Sequence, residues 1–261
     1  MSRIDFAAAS GKVVLIGAGP GDPELVTLKA VRALGIADVV LVDDLVDRRV
    51  LAHVRHGARI IEVGKRGGCR STPQAFIERL MIRLARRGAC VARLKGGDPL
   101  VFGRGGEEIT ALRAAGVAVE VVPGITAGLA APAALGVPVT HRDFARGVTL
   151  MTGHARDGVE PDWRALRATG TTLVIYMGMA RLTTLVAGMV AGGFPRSTPV
   201  CVIENGTLAT QREVVTILGS LPQAVEQEGL RSPAIIVIGD VARFVRSRGV
   251  ERALREAGGV T

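Results

Sequence analysis

The chain has 261 residues, 48% of them hydrophobic, enough for one large α/β domain or two smaller ones with proper cores, and two is the reading adopted. Its formal charge of +9 and pI near 10.6 fit either nucleic acid or a polyanionic small molecule, but only 3% of residues are aromatic and no RNA-binding signature appears, which disfavours nucleic acid. The segment MSRIDFAAASGK has no apolar core of signal-peptide length, and charged or glycine residues interrupt every later apolar run too early for a membrane span. Cys69, Cys90 and Cys201 are odd in number and widely spaced, and His53, His56, His141 and His154 lack the partners of a metal site. The expectation is a soluble protein of a reducing cytoplasm, with no membrane partner and no metal.

Short β-branched runs alternate with helical segments through the first half, at 13–17, 38–43, 59–63, 90–95 and 118–122, which reads as a largely parallel sheet. After the first run, the loop from Gly17 to Asp22 invites a dinucleotide reading, with Asp43 where a ribose-binding acid would sit. Pro20 removes an amide and Asp22 adds negative charge, so a helix cap at Asp22-Pro23-Glu24 fits better. Asp43 and Asp44 close the second strand, at the edge where α/β sheets place ligands, and read either as a base with its neighbour or as a solvated turn. Gly64 to Gly68 is a basic glycine loop.

The helix at 72–87 is read with a Thr72 cap, Pro73 in its first turn, an apolar stripe of Phe76, Ile77, Leu80, Met81 and Leu84, and Gly88 as its stop. Arg83, Arg86 and Arg87 fall on its solvated face or end. The run VARLKGGDPLVFGRGGEE at 91–108 passes from strand through a glycine turn to a helix start bearing Arg104, Glu107 and Glu108. Gly96 and Gly97 admit close backbone approach and Asp98 adds an acceptor, so the turn is either a ligand site or a tight structural turn.

Pro123-Gly124 breaks the pattern, and the domains are read as 1–123 and 124–261. Strands follow at 148–152, 171–176, 199–204, 213–218 and 234–239, in a mixed sheet with one antiparallel pair, because no long helix precedes QREVVTILGSL. The segment from Thr140 to Arg146 sets Arg142 and Arg146 four residues apart, suited to forked carboxylate binding if it turns helically, with an Asp143 salt bridge as the competing account. Tyr176 to Met179 and Glu204 to Thr207 each end a strand.

Taken in order, GAGPGDPEL, VDDLV, GKRGG, RLKGGDPLVFGRGGEE, VPGITA, THRDFARG, YMGM and ENGT resemble the tetrapyrrole methylase family over nearly the whole chain. Their combination is more similar to the branch acting on uroporphyrinogen III than to other precorrin methylases or diphthine synthases. The resemblance implies two α/β domains with the active site in the cleft between them, S-adenosyl-L-methionine (SAM) as methyl donor, a homodimer, and methylation at C2 and C7. Carried over residue by residue, Pro20, Gly96, Gly97, Asp98, Val101, Thr126, Ala127, Met177 and Gly206 line the SAM site. Asp43 is the proton acceptor and Lys65 the proton donor; Arg104, Glu107, Arg142 and Arg146 face the tetrapyrrole, with Arg104 also considered for proton removal. Val42, Leu100 and Phe144 depart from the family's frequent Tyr, Phe and Tyr, which affects substrate packing and leaves methyl transfer intact. The length leaves no room for a fused dehydrogenase and ferrochelatase, so the reaction is expected to stop at precorrin-2. The rival readings are a methylase acting on a later corrin precursor, a nicotinamide oxidoreductase and a basic nucleic-acid module.

Overall fold

The computed structural model describes residues 11–64, 72–154 and 159–245. The chain divides into two compact units, Met1–Thr126 and Ala127–Thr261. Pro123 to Thr126 therefore belongs with the first unit, where the Gly124 amide donates to the Asp98 carboxylate at 3.1 Å.

The first unit holds five parallel strands, β1 (Lys12–Gly17), β2 (Val39–Val42), β3 (Arg59–Glu62), β4 (Cys90–Lys95) and β5 (Ala118–Val122), in the order β3-β2-β4-β1-β5. Successive side chains point to opposite faces of a strand, and both faces of this sheet are covered. Val14, Ile16, Ala92 and Leu94 pack with Ala30 and Leu34 of helix α1 (Leu28–Leu34). Val13, Leu15, Leu41 and Val91 pack with Leu80 and Met81 of α2 (Gln74–Arg86) and Leu112 of α3 (Gly105–Ala114). Two-sided burial explains why the inner strands β1, β2 and β4 read as continuous apolar runs rather than alternating ones, whereas β3 and β5, at the two edges, keep exposed residues. The charged exceptions, Arg93 and Lys95, share the α2/α3 face with Val91.

Two expectations about α2 change. Pro73, not Thr72, takes the cap position, and no side chain caps the helix. Phe76 is exposed, so the apolar stripe that meets the sheet is made by Ile77, Leu80 and Met81, with Leu84 packed beside them. Asp22 does cap, accepting from the Glu24 amide at 2.9 Å, but the helix it starts is a single 3-10 turn, Pro23–Leu25.

The second unit holds β6 (Val148–Thr152), β7 (Thr172–Tyr176), β8 (Pro199–Glu204), β9 (Arg212–Ile217) and β10 (Ala234–Ile238), in the order β6-β7-β10-β8-β9. Only β6 and β7 run parallel. The β8–β9 pair is antiparallel as its short connection requires, and β10 inserts between β7 and β8 running against both, so antiparallel pairing exceeds the single pair expected. Helices α5 (Trp163–Ala168), α6 (Leu182–Ala191) and α7 (Leu221–Glu228) cover one face and α4 (Ala127–Ala134) the other. Among the described residues no helix is long and apolar enough to cross a membrane.

Cys201 lies in the middle of this sheet, and burial pushes its thiol up to about 12. Iodoacetamide at pH 8 should leave Cys201 unlabelled in the native protein and label it after unfolding, as peptide mass mapping would read. Gly17, Gly97 and Gly124 supply a second test. A β-carbon on Gly124 would lie 2.3 Å from the Gly97 carbonyl oxygen and 2.8 Å from the Gly17 α-carbon. Gly124→Ala should cost about 2–3 kcal/mol in urea unfolding, whereas Gly106→Ala, which meets nothing within 4 Å on an exposed helical turn, should gain up to about 1 kcal/mol.

Candidate functional site

The loops that follow β1, β2, β4 and β5 all leave the carboxyl edge of the parallel sheet, where such sheets bind ligands. Two of them are zipped together. The Gly97 amide donates to the Gly19 carbonyl at 2.7 Å and the Gly19 amide to the Gly97 carbonyl at 3.3 Å. Gly97 adopts a left-handed φ of 67°, and a β-carbon on Gly96 would come within 2.9 Å of the Leu45 side chain. The glycines are thus required by approach of the protein's own backbone. Asp98 has a similar local duty, accepting from the Leu100 amide at 2.8 Å through Oδ1 and from Gly124 through Oδ2. Pro20 and Val101 lie half-buried in these same loops, and Thr126 is buried at the end of the β5 loop.

Asp43 stands at the end of β2 with its side chain 36% exposed. Its Oδ1 accepts from the Asp44 amide at 3.2 Å and its Oδ2 from Arg93 Nη2 at 3.1 Å. Arg93 is only 2% exposed, on the central strand β4. Its Nε donates to Glu108 Oε1 at 3.1 Å and its Nη1 to the Leu94 carbonyl at 3.4 Å. The same Oε1 also accepts from Lys95 Nζ at 3.3 Å and Gln74 Nε2 at 3.1 Å, while Oε2 is buried without a partner among the described residues. Burial, and next the Arg93 charge, pull the Lys95 ammonium below its ordinary value, and Glu108 opposes both.

Glu107 and Glu108 are neighbours on α3 but face opposite ways. Glu108 points inward and is fully buried; Glu107 points outward to Arg104, which donates from Nε at 3.1 Å and Nη2 at 2.5 Å. Arg104 occupies the helix cap position with a left-handed φ of 59°. The hydrogen bonds that Arg104 donates to Glu107 raise its guanidinium above its ordinary value, which makes it a poor proton acceptor.

In the second unit, Met177 directly follows β7 with a left-handed φ of 54° and is half-exposed, and Gly206 sits in the loop after β8. Both loops border α4, whose first residue is Ala127. Tyr176 Oη accepts from the Gly128 amide at 2.8 Å, and a β-carbon on Gly206 would lie 2.4 Å from that of Ala131. All five non-glycine residues of positive φ among the described residues, Phe102, Arg104, Met177, Asn205 and Thr207, fall in three loops that follow strand ends. Such strain collects at functional loops, where the surrounding fold over-determines it.

Arg142 and Arg146 are exposed, but their segment is not helical. His141 and Ala145 exchange backbone hydrogen bonds of 2.8 and 2.9 Å, closing a tight turn. Asp143 lies 3.8 Å from His141 rather than against an arginine, and neither arginine is in an ion pair among the described residues. Phe144 stacks its ring near those of His141 and Phe244, at 4.8 and 5.8 Å. Lys65 lies outside the described residues. No group of three or more metal-binding side chains occurs among the described residues.

The cluster of Arg93, Lys95, Glu108 and Gln74 is the part of the site that sequence reasoning missed. Its signal was available: Arg93 and Lys95 alternate on a strand flanked by apolar strands, and buried cations need a counter-charge.

Residues 12–222 match the family Tetrapyrrole (Corrin/Porphyrin) Methylases. A uroporphyrinogen-III C-methyltransferase of Pseudomonas aeruginosa is 57% identical over 92% of this chain and 98% of its own length. The crystal structure of a uroporphyrin-III C-methyl transferase from Thermus thermophilus, complexed with S-adenyl homocysteine, is 42% identical with a TM-score of 0.76, over 89% of this chain and 99% of that one. A cobalt precorrin-4 methyltransferase of cobalamin biosynthesis superposes with a TM-score of 0.79 at 30% identity, covering 88% of this chain and 95% of the other.

Removing one partner from a buried ionic cluster leaves uncompensated charge. Glu108→Gln should therefore cost about 3–5 kcal/mol in urea unfolding, and Glu108→Gln/Lys95→Met should recover part of that loss, because it also removes one of the two stranded cations.

Proposed function

This chain belongs to the tetrapyrrole (corrin/porphyrin) methylases, and from that membership we propose that it transfers methyl groups from SAM to C2 and C7 of uroporphyrinogen III, giving precorrin-2 and S-adenosylhomocysteine. The observation that carries the reading is the 57% identity to the Pseudomonas aeruginosa enzyme along nearly the full length of both chains. The identity spans both units, so the fold and the loops at the strand ends travel together.

The methyl donor supplies an electrophilic methyl group on a sulfonium. The residues fit such a ligand, which needs close backbone approach and a few polar groups and no pyrophosphate cradle. Pro20, Gly96, Gly97, Asp98, Val101 and Thr126 in the first unit, and Ala127, Met177 and Gly206 in the second, are the proposed SAM-binding residues. Their loops are held by backbone pairing and carry strained, non-glycine φ angles, as at Met177. The bound Thermus relative supports the same ligand class.

Asp43 is the proposed proton acceptor. Its carboxylate is held by Arg93 on one oxygen and a backbone amide on the other, yet part of it is open to a substrate. It takes the pyrrole N–H proton as the ring carbon becomes nucleophilic, a role in which a positioned base contributes about 10²–10⁴-fold. Lys65 is the proposed proton donor by family carry-over. Arg104, Glu107, Arg142 and Arg146 are the proposed contacts to the tetrapyrrole. Arg142 and Arg146 offer guanidiniums to a substrate bearing eight carboxylates, and Arg104 is already oriented by its fork with Glu107.

Incubation with SAM and anaerobically prepared uroporphyrinogen III should add two methyl groups, at C2 and C7, as mass and carbon NMR would show. SAM binding by the folded protein without transfer would move the substrate to a later corrin precursor. Asp43→Asn should lower kcat by about 10²–10⁴-fold with SAM binding retained. Arg104→Ala should raise the KM for the tetrapyrrole by roughly 10–100-fold while changing that for SAM little, and added salt should act in the same direction.

A further inference from the structure

Glu108 touches no open surface, so it cannot meet a substrate. It nevertheless stands where three donors converge, two of them cationic, on a single carboxylate oxygen. A buried ionic cluster of this kind contributes little net stability compared with apolar packing, because desolvation consumes most of the attraction. Its cost calls for a role in arranging something else. Arg93 is the member that links the cluster to Asp43. Arg93 is held at Nε by Glu108, at Nη1 by the Leu94 carbonyl, and presents Nη2 to Asp43.

We propose that Glu108 is a positioning residue for the methyl transfer, fixing the plane of the Arg93 guanidinium and through it the Asp43 carboxylate. The proposal rests on the reading of Asp43 as proton acceptor. A guanidinium is planar, so anchoring its Nε edge determines where its other nitrogens point. Without Glu108, Arg93 loses that anchor and its full charge falls on Asp43, turning a shared pairing into an exclusive one. Asp43 then becomes both less well oriented and less available to accept a proton. Lys95 and Gln74 hold the Glu108 oxygen from β4 and α2, so the anchor is itself fixed from two elements. Misplacement of a reacting group by about 1 Å is enough to lower a rate by about 10²-fold.

The test is a double-mutant cycle on kcat, followed with SAM labelled in its methyl group. Glu108→Gln should lower kcat by at least about tenfold while the SAM dissociation constant, measured by calorimetry, stays within about twofold. In an Asp43→Asn background the same substitution should change kcat by less than about twofold, because the residue through which it acts has been removed. Glu108→Asp, which keeps the charge, should restore part of the lost turnover. If Glu108→Gln alone does not fold, Glu108→Gln/Lys95→Met is compared with Lys95→Met in both backgrounds. An equal loss of kcat with and without Asp43, or unchanged kcat in Glu108→Gln, overturns the proposal. Wild-type turnover in Asp43→Asn itself would instead overturn the assignment of Asp43 as proton acceptor.

Discussion

Two cations on the central strand of a parallel sheet, buried among apolar side chains, have one fully buried carboxylate to share, and the site in the first unit is arranged around that constraint. Arg93 and Lys95 lie on the same face of β4, two residues apart, and both draw counter-charge from a helix covering that face, Arg93 pairing with Asp43 after β2 as well. Glu108 supplies that charge from the first turn of α3, and Gln74 at the start of α2 joins the same oxygen. Apolar packing of Leu112 also holds α3 on the sheet, while the direction of Arg93 and its hydrogen bond to Asp43 go with the charge pairing. Two consecutive glutamates serve opposite ends, since a 100° turn along the helix sends Glu107 to Arg104 at the surface and Glu108 into the core.

A second constraint is steric. The loops after β1, β4 and β5 approach so closely that Gly17 and Gly124 leave no space for a β-carbon, which at either would meet the Gly97 carbonyl oxygen. Asp98 then secures two of these segments with backbone hydrogen bonds. A loop pinned this way loses little further entropy when it receives a ligand, which is the advantage of preorganisation. The left-handed residues at 102, 104, 177, 205 and 207 belong to the same economy of rigid loops, in which neighbouring structure holds a backbone that would relax alone.

Much of the fold was legible because the inner strands of the first sheet, β1, β2 and β4, are buried on both faces and therefore stand out as short apolar runs bounded by turns. Helix α2 was legible in its body and misjudged at its edges. Pro73 takes the cap position that Thr72 was expected to fill, and Phe76 turns outward although its type suits a core. The antiparallel insertion of β10 was hidden for a different reason: sheet order depends on which long-range pairs form, and apolar runs such as β7, β8 and β10 are compatible with several orders. The tight turn at 141–145 defeated a helical reading of Arg142 and Arg146 because the backbone pairing of His141 with Ala145 leaves no mark in residue spacing.

By itself the sequence determined the alternation of strands and helices, the glycines that permit close backbone approach, and the ordered motifs by which family and chemistry are recognised. These are properties of residue type and local order. Only the tertiary structure decided that Asp43 is held by Arg93, that Arg93 depends on Glu108, and that Asp98 and Arg104 spend hydrogen bonds within their own chain. Those partners lie 50, 15, 2 and 3 residues apart, and the longer links exist because parallel strands bring distant segments side by side at one edge. Burial then makes the charge pairing obligatory, since an ionised group withdrawn from water must find its counterpart among the neighbours that folding supplies.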